Sequence, residues 1–175
     1  YVDIFFTKIA EQADGYMHKD DGPVIGIQIE NEYGHVGGLQ GPEGEAHIRT
    51  LTAIAKEIGF DVPLYTATGW GGACIGDLLP VMGGYCEAPW DQRTCEIEPN
   101  ANFVFSHTRN DALIACDHHV ENANSYNEED FPFLTAELGG GLQVTMHRRP
   151  VAKGCDVGAM STVKMGSGAG LLGYY

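Results

Sequence analysis

Positive charge is scarce in this sequence: Lys and Arg total 10 against 24 Asp and Glu, for a formal net charge of −14. A field of that sign repels phosphate backbones, so nucleic acid is not an expected partner. Long apolar runs are missing too. None reaches the roughly 18 residues needed to cross a bilayer, so no membrane span is expected. The five cysteines, Cys74, Cys86, Cys95, Cys116 and Cys155, include no CxxC pair. An odd set of this kind favours reduced thiols and a cytosolic home, although one disulfide plus spare thiols fits the same letters. No GxGxxG follows a strand, which counts against a dinucleotide-binding sheet. Gly139-Gly140-Gly141 is not followed by GKS or GKT, so it reads as glycine flexibility near a pocket and not as a phosphate cradle. Cys116-Asp117-His118-His119-Val120-Glu121 lacks the helical spacing of a metal site, and adjacent histidines do not share a face. It reads as a solvated polar loop. No metal and no other cofactor is expected.

What is present suits one domain: 175 residues, 43% of them hydrophobic. Val2, Phe5, Ile9, Ala13 and Tyr16 recur at helical spacing, and Asp20-Asp21-Gly22-Pro23 ends that pattern. Val24 to Ile29 is a nearly continuous apolar stretch, as in a parallel strand buried on both faces. A second helix opens near Pro42-Glu43-Gly44-Glu45, runs through Ile48, Leu51, Ile54 or Ala55, and Ile58, and stops at Gly59. Strands are expected at Val62–Thr68, Leu78–Tyr85, Phe131–Glu137 and Gly170–Tyr175, with a helix over Ala159–Lys164 stopped by Gly166. Residues 91–130 carry no readable pattern.

Strands alternating with helices indicate an α/β protein with parallel strands. A doubly wound sheet and a (β/α)8 TIM barrel both fit, and both place chemistry at strand ends. A complete barrel takes about 250 residues. Tyr1 is not a start residue, and Leu171 to Tyr175 is an apolar run with no polar terminus. The expectation is therefore an incomplete barrel over residues 1–175, truncated at both ends. Such a piece, alone, is expected to have little activity and to aggregate through unpaired strand edges.

Each expected strand ends in a polar or glycine-rich cluster. Two of these hold a carboxylate of interest: Glu32, in Glu30-Asn31-Glu32-Tyr33-Gly34, and Glu137, in Phe133-Leu134-Thr135-Ala136-Glu137. Retaining glycoside hydrolysis needs two carboxyl groups about 5 to 5.5 Å apart across the scissile bond. Residues this remote in sequence meet that demand only if the fold brings two strand ends together. While one carboxylate stays ionised, its charge disfavours ionisation of the other, which separates nucleophile from acid.

Gly22-Pro23-Val24-Ile25-Gly26-Ile27-Gln28-Ile29-Glu30-Asn31-Glu32-Tyr33-Gly34 resembles the fourth-strand signature of the family-35 glycoside hydrolases, mostly β-galactosidases. Phe133 to Glu137 resembles their seventh strand. The resemblance implies a barrel covering about strands 4 to 8, with Leu171 to Tyr175 beginning the eighth. It implies Glu32 as acid/base, Glu137 as nucleophile and Asn31 as the contact to the sugar 2-hydroxyl. It also implies a terminal β-D-galactoside, an oligosaccharide or glycoconjugate, as substrate. The sequence departs from better-known members at Glu137-Leu138-Gly139-Gly140-Gly141, where an aromatic and a Trp-containing stretch often follow the nucleophile.

Glu30 is two positions from Glu32, so on an extended segment both point the same way. It is read as tying strand ends together, with sugar binding as the other option. Trp70, Tyr85 and Trp90 lie at expected strand ends, where aromatic faces can stack on a pyranose or simply fill core. Tyr33 is a candidate for sugar contact or for orienting Glu137. Arg148 and Arg149 read as surface or strand-end ion-pair partners. Two alternatives stay open: a related β-glycosidase acting on β-glucan or mannan, and a non-catalytic carbohydrate-binding barrel.

Overall fold

The computed structural model describes residues 1–35, 37–68, 72–87, 91–98, 101–106, 126–139, 146 and 148–174. They form two compact units, one from Tyr1–Thr68 with Ala73–Pro80, the other chiefly from Val81 onward. Each unit is α/β, and each pairs its strands in parallel.

The first unit holds helix α1 (Val2–Ala13), strand β1 (Ile27–Asn31), helix α2 (Gly41–Ile58) and strand β2 (Leu64–Ala67). Helix α2 shows its punctuation in the letters. Pro42 and Glu43 sit in its first turn, where a missing N–H and a negative charge both suit the helix start. Gly59 closes it in the left-handed region at φ 102°, its N–H reaching the carbonyls of Ala55 and Lys56. The helix buries Ile48, Leu51, Thr52 and Ala55, while Ile54 and Ile58 are half-buried against the same core. That core adds Phe6, Met17, Phe60, Leu64, Cys74 and Leu78.

Helix α1 turns a different face inward from the one its spacing suggests. Phe6 is buried, with Ala10 and Ala13 packed beside it, while Phe5 and Tyr16 are 63% and 58% exposed. Both faces of this helix carry apolar residues, so periodicity alone does not choose between them. The partner chooses: Phe6 meets Phe60 with ring centroids 5.8 Å apart.

Strand β1 starts at Ile27, three residues later than the apolar run, and is not buried on both faces. Val24 is diverted to an isolated bridge with Met17, where it accepts the His18 N–H at 2.9 Å. Ile25 is left 60% exposed. Among the described residues β2 is the strand that β1 pairs with, and a strand at a sheet edge is not covered as a central one is.

The second unit holds strand β3 (Leu79–Gly84) from Val81 onward, strand β4 (Leu134–Leu138), helix α3 (Gly154–Gly166) and strand β5 (Leu171–Tyr174). Strand β4 lies between β3 and β5, parallel to both. Helix α3 ends at Gly166 as expected but begins five residues before Ala159. Gly154 and Gly158 weaken the helical signal, whereas the Asp156 carboxylate accepts the Lys153 N–H at 2.7 Å and secures the start. Short 3₁₀ turns at Ala101–Phe103 and Glu128–Asp130 lie within the stretch that carries no sequence pattern.

Cys74, Cys86, Cys95 and Cys155 are free thiols. Burial pushes the Cys74 and Cys86 thiols above their usual range, so both are held as neutral SH groups. Among the described residues no helix is long and apolar enough to cross a membrane, and no cluster of three or more His, Cys, Asp or Glu could hold a metal ion. The Cys116-to-Glu121 run lies outside the described residues.

Candidate functional site

In the first unit the sequence-derived residues gather at the C-terminal end of β1. The register with β2 slips between Gln28 and Glu30, and the buried Thr66 hydroxyl bridges the slip by donating to the Glu30 carbonyl at 2.8 Å. The strand then stops at Asn31. Glu32 leaves it in the left-handed region at φ 53°, a conformation costing a non-glycine residue about 1 kcal/mol or more. Two backbone bonds hold it there. The Glu32 N–H donates to the Ala67 carbonyl, and its own carbonyl accepts the His35 N–H, both at 2.9 Å.

This turn removes the premise that Glu30 and Glu32 share a face through strand alternation, because the extended segment ends before Glu32. Glu30 uses its carboxylate locally, accepting the Asn31 N–H at 2.9 Å, and its tie to the neighbouring strand runs through its backbone. The Asn31 side chain is exposed, and its Oδ1 accepts from Gln28 Nε2 at 3.0 Å. Tyr33 is stacked on His47, with centroids 4.4 Å apart and planes at 16°. Its carbonyl accepts the Cys74 N–H at 2.8 Å, so the residue is anchored to the unit's own core. Partial burial pushes the His35 imidazole below its ordinary range, towards the neutral form.

In the second unit the focus is the end of β4. Glu137 is the next-to-last residue of that strand, half-buried, and its cross-strand partner on β3 is Gly83, which has no side chain. Tyr85, just past β3, donates its hydroxyl to Glu137 Oε2 at 2.7 Å. With 7% exposure, the Tyr85 ring offers little face to a sugar, and its contact gives it another task, holding the carboxylate. Here too the register is irregular and a buried threonine repairs it. The Thr135 hydroxyl donates to the Leu171 carbonyl at 3.1 Å and accepts the Gly173 N–H at 3.2 Å, across the β4–β5 slip.

Gly139 follows β4 at φ 72°, and a Cβ there would lie 2.6 Å from Val157 Cγ1. Close packing on α3, and not freedom to move, explains this glycine. Gly140 and Gly141 lie outside the described residues, as do Trp70 and Trp90.

Sequence reasoning missed Asn102 and Lys164, which are buried behind Tyr85. Asn102 falls in the unpatterned stretch. Lys164 did carry a signal: it sits one place after Val163 and four after Met160, on the apolar side of α3. Arg148 is an ion-pair partner as expected, but a buried one. It pairs with Glu87 and donates through Nη1 to the carbonyls of Arg93 and Cys95, each at 2.9 Å. It pins the loop that follows β3.

Glu32 thus belongs to the first unit and Glu137 to the second. Each stands at or just past the C-terminal end of a parallel strand, the end at which α/β folds place their chemistry. No protein-family model matches this sequence, and no curated protein matches it.

Proposed function

We propose that this sequence is part of a retaining glycoside hydrolase that removes terminal β-D-galactose, on a (β/α)8 barrel of which it supplies about strands 4 to 8. The observation that carries the reading is the 2.7 Å hydrogen bond from Tyr85 to Glu137 Oε2 at the end of β4. A nucleophilic carboxylate must be oriented before it attacks, and a phenol fixed on one oxygen orients the other. The backbone-held Glu32 supports it, because a residue kept in a rarely populated conformation at a strand end is a mark of functional sites. The galactose preference comes from the family-35 resemblance of Gln28 to Gly34.

In the first step Glu137 Oε1 attacks the anomeric carbon while the bond to the aglycone oxygen breaks. Glu32 delivers its proton to that oxygen, and a covalent glycosyl–Glu137 ester results. In the second step Glu32, now ionised, takes a proton from water as the water oxygen attacks the same carbon and frees Glu137. Two inversions give net retention. Asn31 is assigned to the sugar 2-hydroxyl, where a hydrogen bond tightens as charge develops. The scheme needs the two carboxyl groups to work about 5 to 5.5 Å apart.

A 2-deoxy-2-fluoro-β-galactoside with a good leaving group tests this in the barrel that carries the sequence. Peptide mass mapping is expected to find the fluorosugar on Glu137. Label on another residue, or persistent label in Glu137→Gln, overturns the nucleophile assignment. Labelling by the matching glucoside or mannoside but not the galactoside overturns the substrate.

A further inference from the structure

Lys164 is 4% exposed and Asn102 is 1% exposed, both within the second unit. The Lys164 amine donates to Asn102 Oδ1 at 2.7 Å, and Asn102 Nδ2 donates to the Tyr85 carbonyl at 3.2 Å. The Tyr85 hydroxyl in turn donates to Glu137 Oε2. Burying an amine is costly even when it is hydrogen-bonded, and an apolar side chain of similar volume serves packing at least as well. Met160 and Val163, its neighbours on the helix, are apolar and buried. Packing alone gives no reason for a lysine here.

Resting on the hydrolase reading above, we propose that Lys164 and Asn102 are positioning residues that fix the nucleophile Glu137 through Tyr85. Strand β3 ends at Gly84. The Gly84 carbonyl is taken by the Gly139 N–H at 2.7 Å, and one residue later the Tyr85 carbonyl is taken by Asn102. Asn102 therefore holds the backbone from which the phenol projects, and Lys164 holds the amide of Asn102 in the orientation that presents its N–H. Gly84 admits the pair: a Cβ there would lie 3.0 Å from Asn102 Oδ1 and 3.2 Å from Lys164 Cε. A drift of the Tyr85 backbone becomes a larger drift of its hydroxyl, and misplacement of about 1 Å at a reacting group costs up to about 100-fold in rate.

Tyrosine labelled with 13C at Cζ reports the contact, because that resonance moves when the hydroxyl proton is shared with a carboxylate. Tyr85→Phe assigns the line, and Glu137→Gln supplies its position when the acceptor charge is gone. Asn102→Asp keeps an acceptor for Lys164 and removes the donor to the Tyr85 carbonyl; Lys164→Met removes the amine. Both are expected to move the Tyr85 line towards its Glu137→Gln position, and to lower kcat on an aryl β-galactoside about 10- to 100-fold with KM little changed. A Tyr85 line unmoved in either folded variant overturns the proposal, and so does loss of the fold in both, which assigns the pair to packing alone. A moving line in protein that hydrolyses no galactoside overturns the function and leaves the positioning device standing.

Discussion

At the end of β1 backbone bonds hold the acidic residue in its turn: Glu32 sits at φ 53°, its N–H on Ala67 and its carbonyl on His35. At the end of β4 a side chain holds the carboxylate itself: Glu137 stays in the strand, and the Tyr85 phenol holds one of its oxygens. Both ends follow a register slip that a buried threonine bridges, Thr66 in one unit and Thr135 in the other. On the hydrolase reading proposed above, the difference suits two chemical tasks. An acid that later serves as base must exchange protons with leaving group and water, which suits a residue placed past the end of the strand. A nucleophile must attack one carbon along one line, which suits a carboxylate with one oxygen tethered.

The largest effect that tests this contrast is on turnover. Glu137→Gln is expected to reduce hydrolysis of every aryl β-galactoside to background. Glu32→Gln is expected to lower kcat/KM about 10² to 10⁴-fold on poor leaving groups and much less on good ones, whose departure needs no proton, while kcat on good ones falls because the second step has lost its base. Steady-state kinetics over a series of leaving groups checks both, and equal losses across the series in the two variants would erase the division of roles.

Next in size are the threonines. Thr135→Val is expected to cost about 1 to 3 kcal/mol in urea unfolding, because it removes two hydrogen bonds at once, to the Leu171 carbonyl and from the Gly173 N–H. Thr66→Val, which removes one hydrogen bond, to the Glu30 carbonyl, is expected at the lower end of that range. A neutral result at both sites would show that the slips are closed by backbone alone.

Glycine sharpens the comparison through opposite signs. Glu32→Gly relieves a left-handed conformation and is expected to stabilise by about 1 kcal/mol. Glu137→Gly places glycine inside a strand and is expected to destabilise by about 0.5 to 1 kcal/mol before the lost Tyr85 contact is added. Urea midpoints of the two variants, read against the parent, decide it.

The smallest effect is on pH dependence. His35 is held below its ordinary value of 6.5 by burial, so the unfolded chain takes up a proton first as pH falls. Its contribution to stability is whole above pH 6.5 and declines as pH drops from there towards the lower folded value. His35→Gln is expected to flatten that part of the stability profile. A profile unchanged between pH 7 and 5 would place the imidazole in water.

Helix α2 was legible because its signals are local: Pro42 and Glu43 at one end, Gly59 at the other, and Ile48, Leu51 and Ala55 in step between them. The strands were legible to within a few residues for the same reason. Helix α1 was legible as a helix but not by face, since Phe5 and Phe6 are equally apolar and only Phe60 distinguishes them. Asn31 and Glu32 were legible as a strand end, while the turn that takes Glu32 out of the extended region left no mark in the spacing. Tyr85 stood out as an aromatic at a strand end, yet its partner lies 52 positions away. Asn102 and Lys164 are 62 positions apart, and neither belongs to a motif.

By itself the sequence determined which segments become helix and strand, and at α2 both ends, because caps, glycines and apolar periodicity act over a few residues; the starts of β1 and α3 fell three and five residues away from its reading. It also marked the strand ends that carry Glu32 and Glu137. Only the tertiary structure decided which helix face is buried, that Glu32 is held by backbone bonds, and that Tyr85, Asn102 and Lys164 line up behind Glu137. Those are matters of long-range contact, where the energy of a hydrogen bond depends on a partner that no local pattern names.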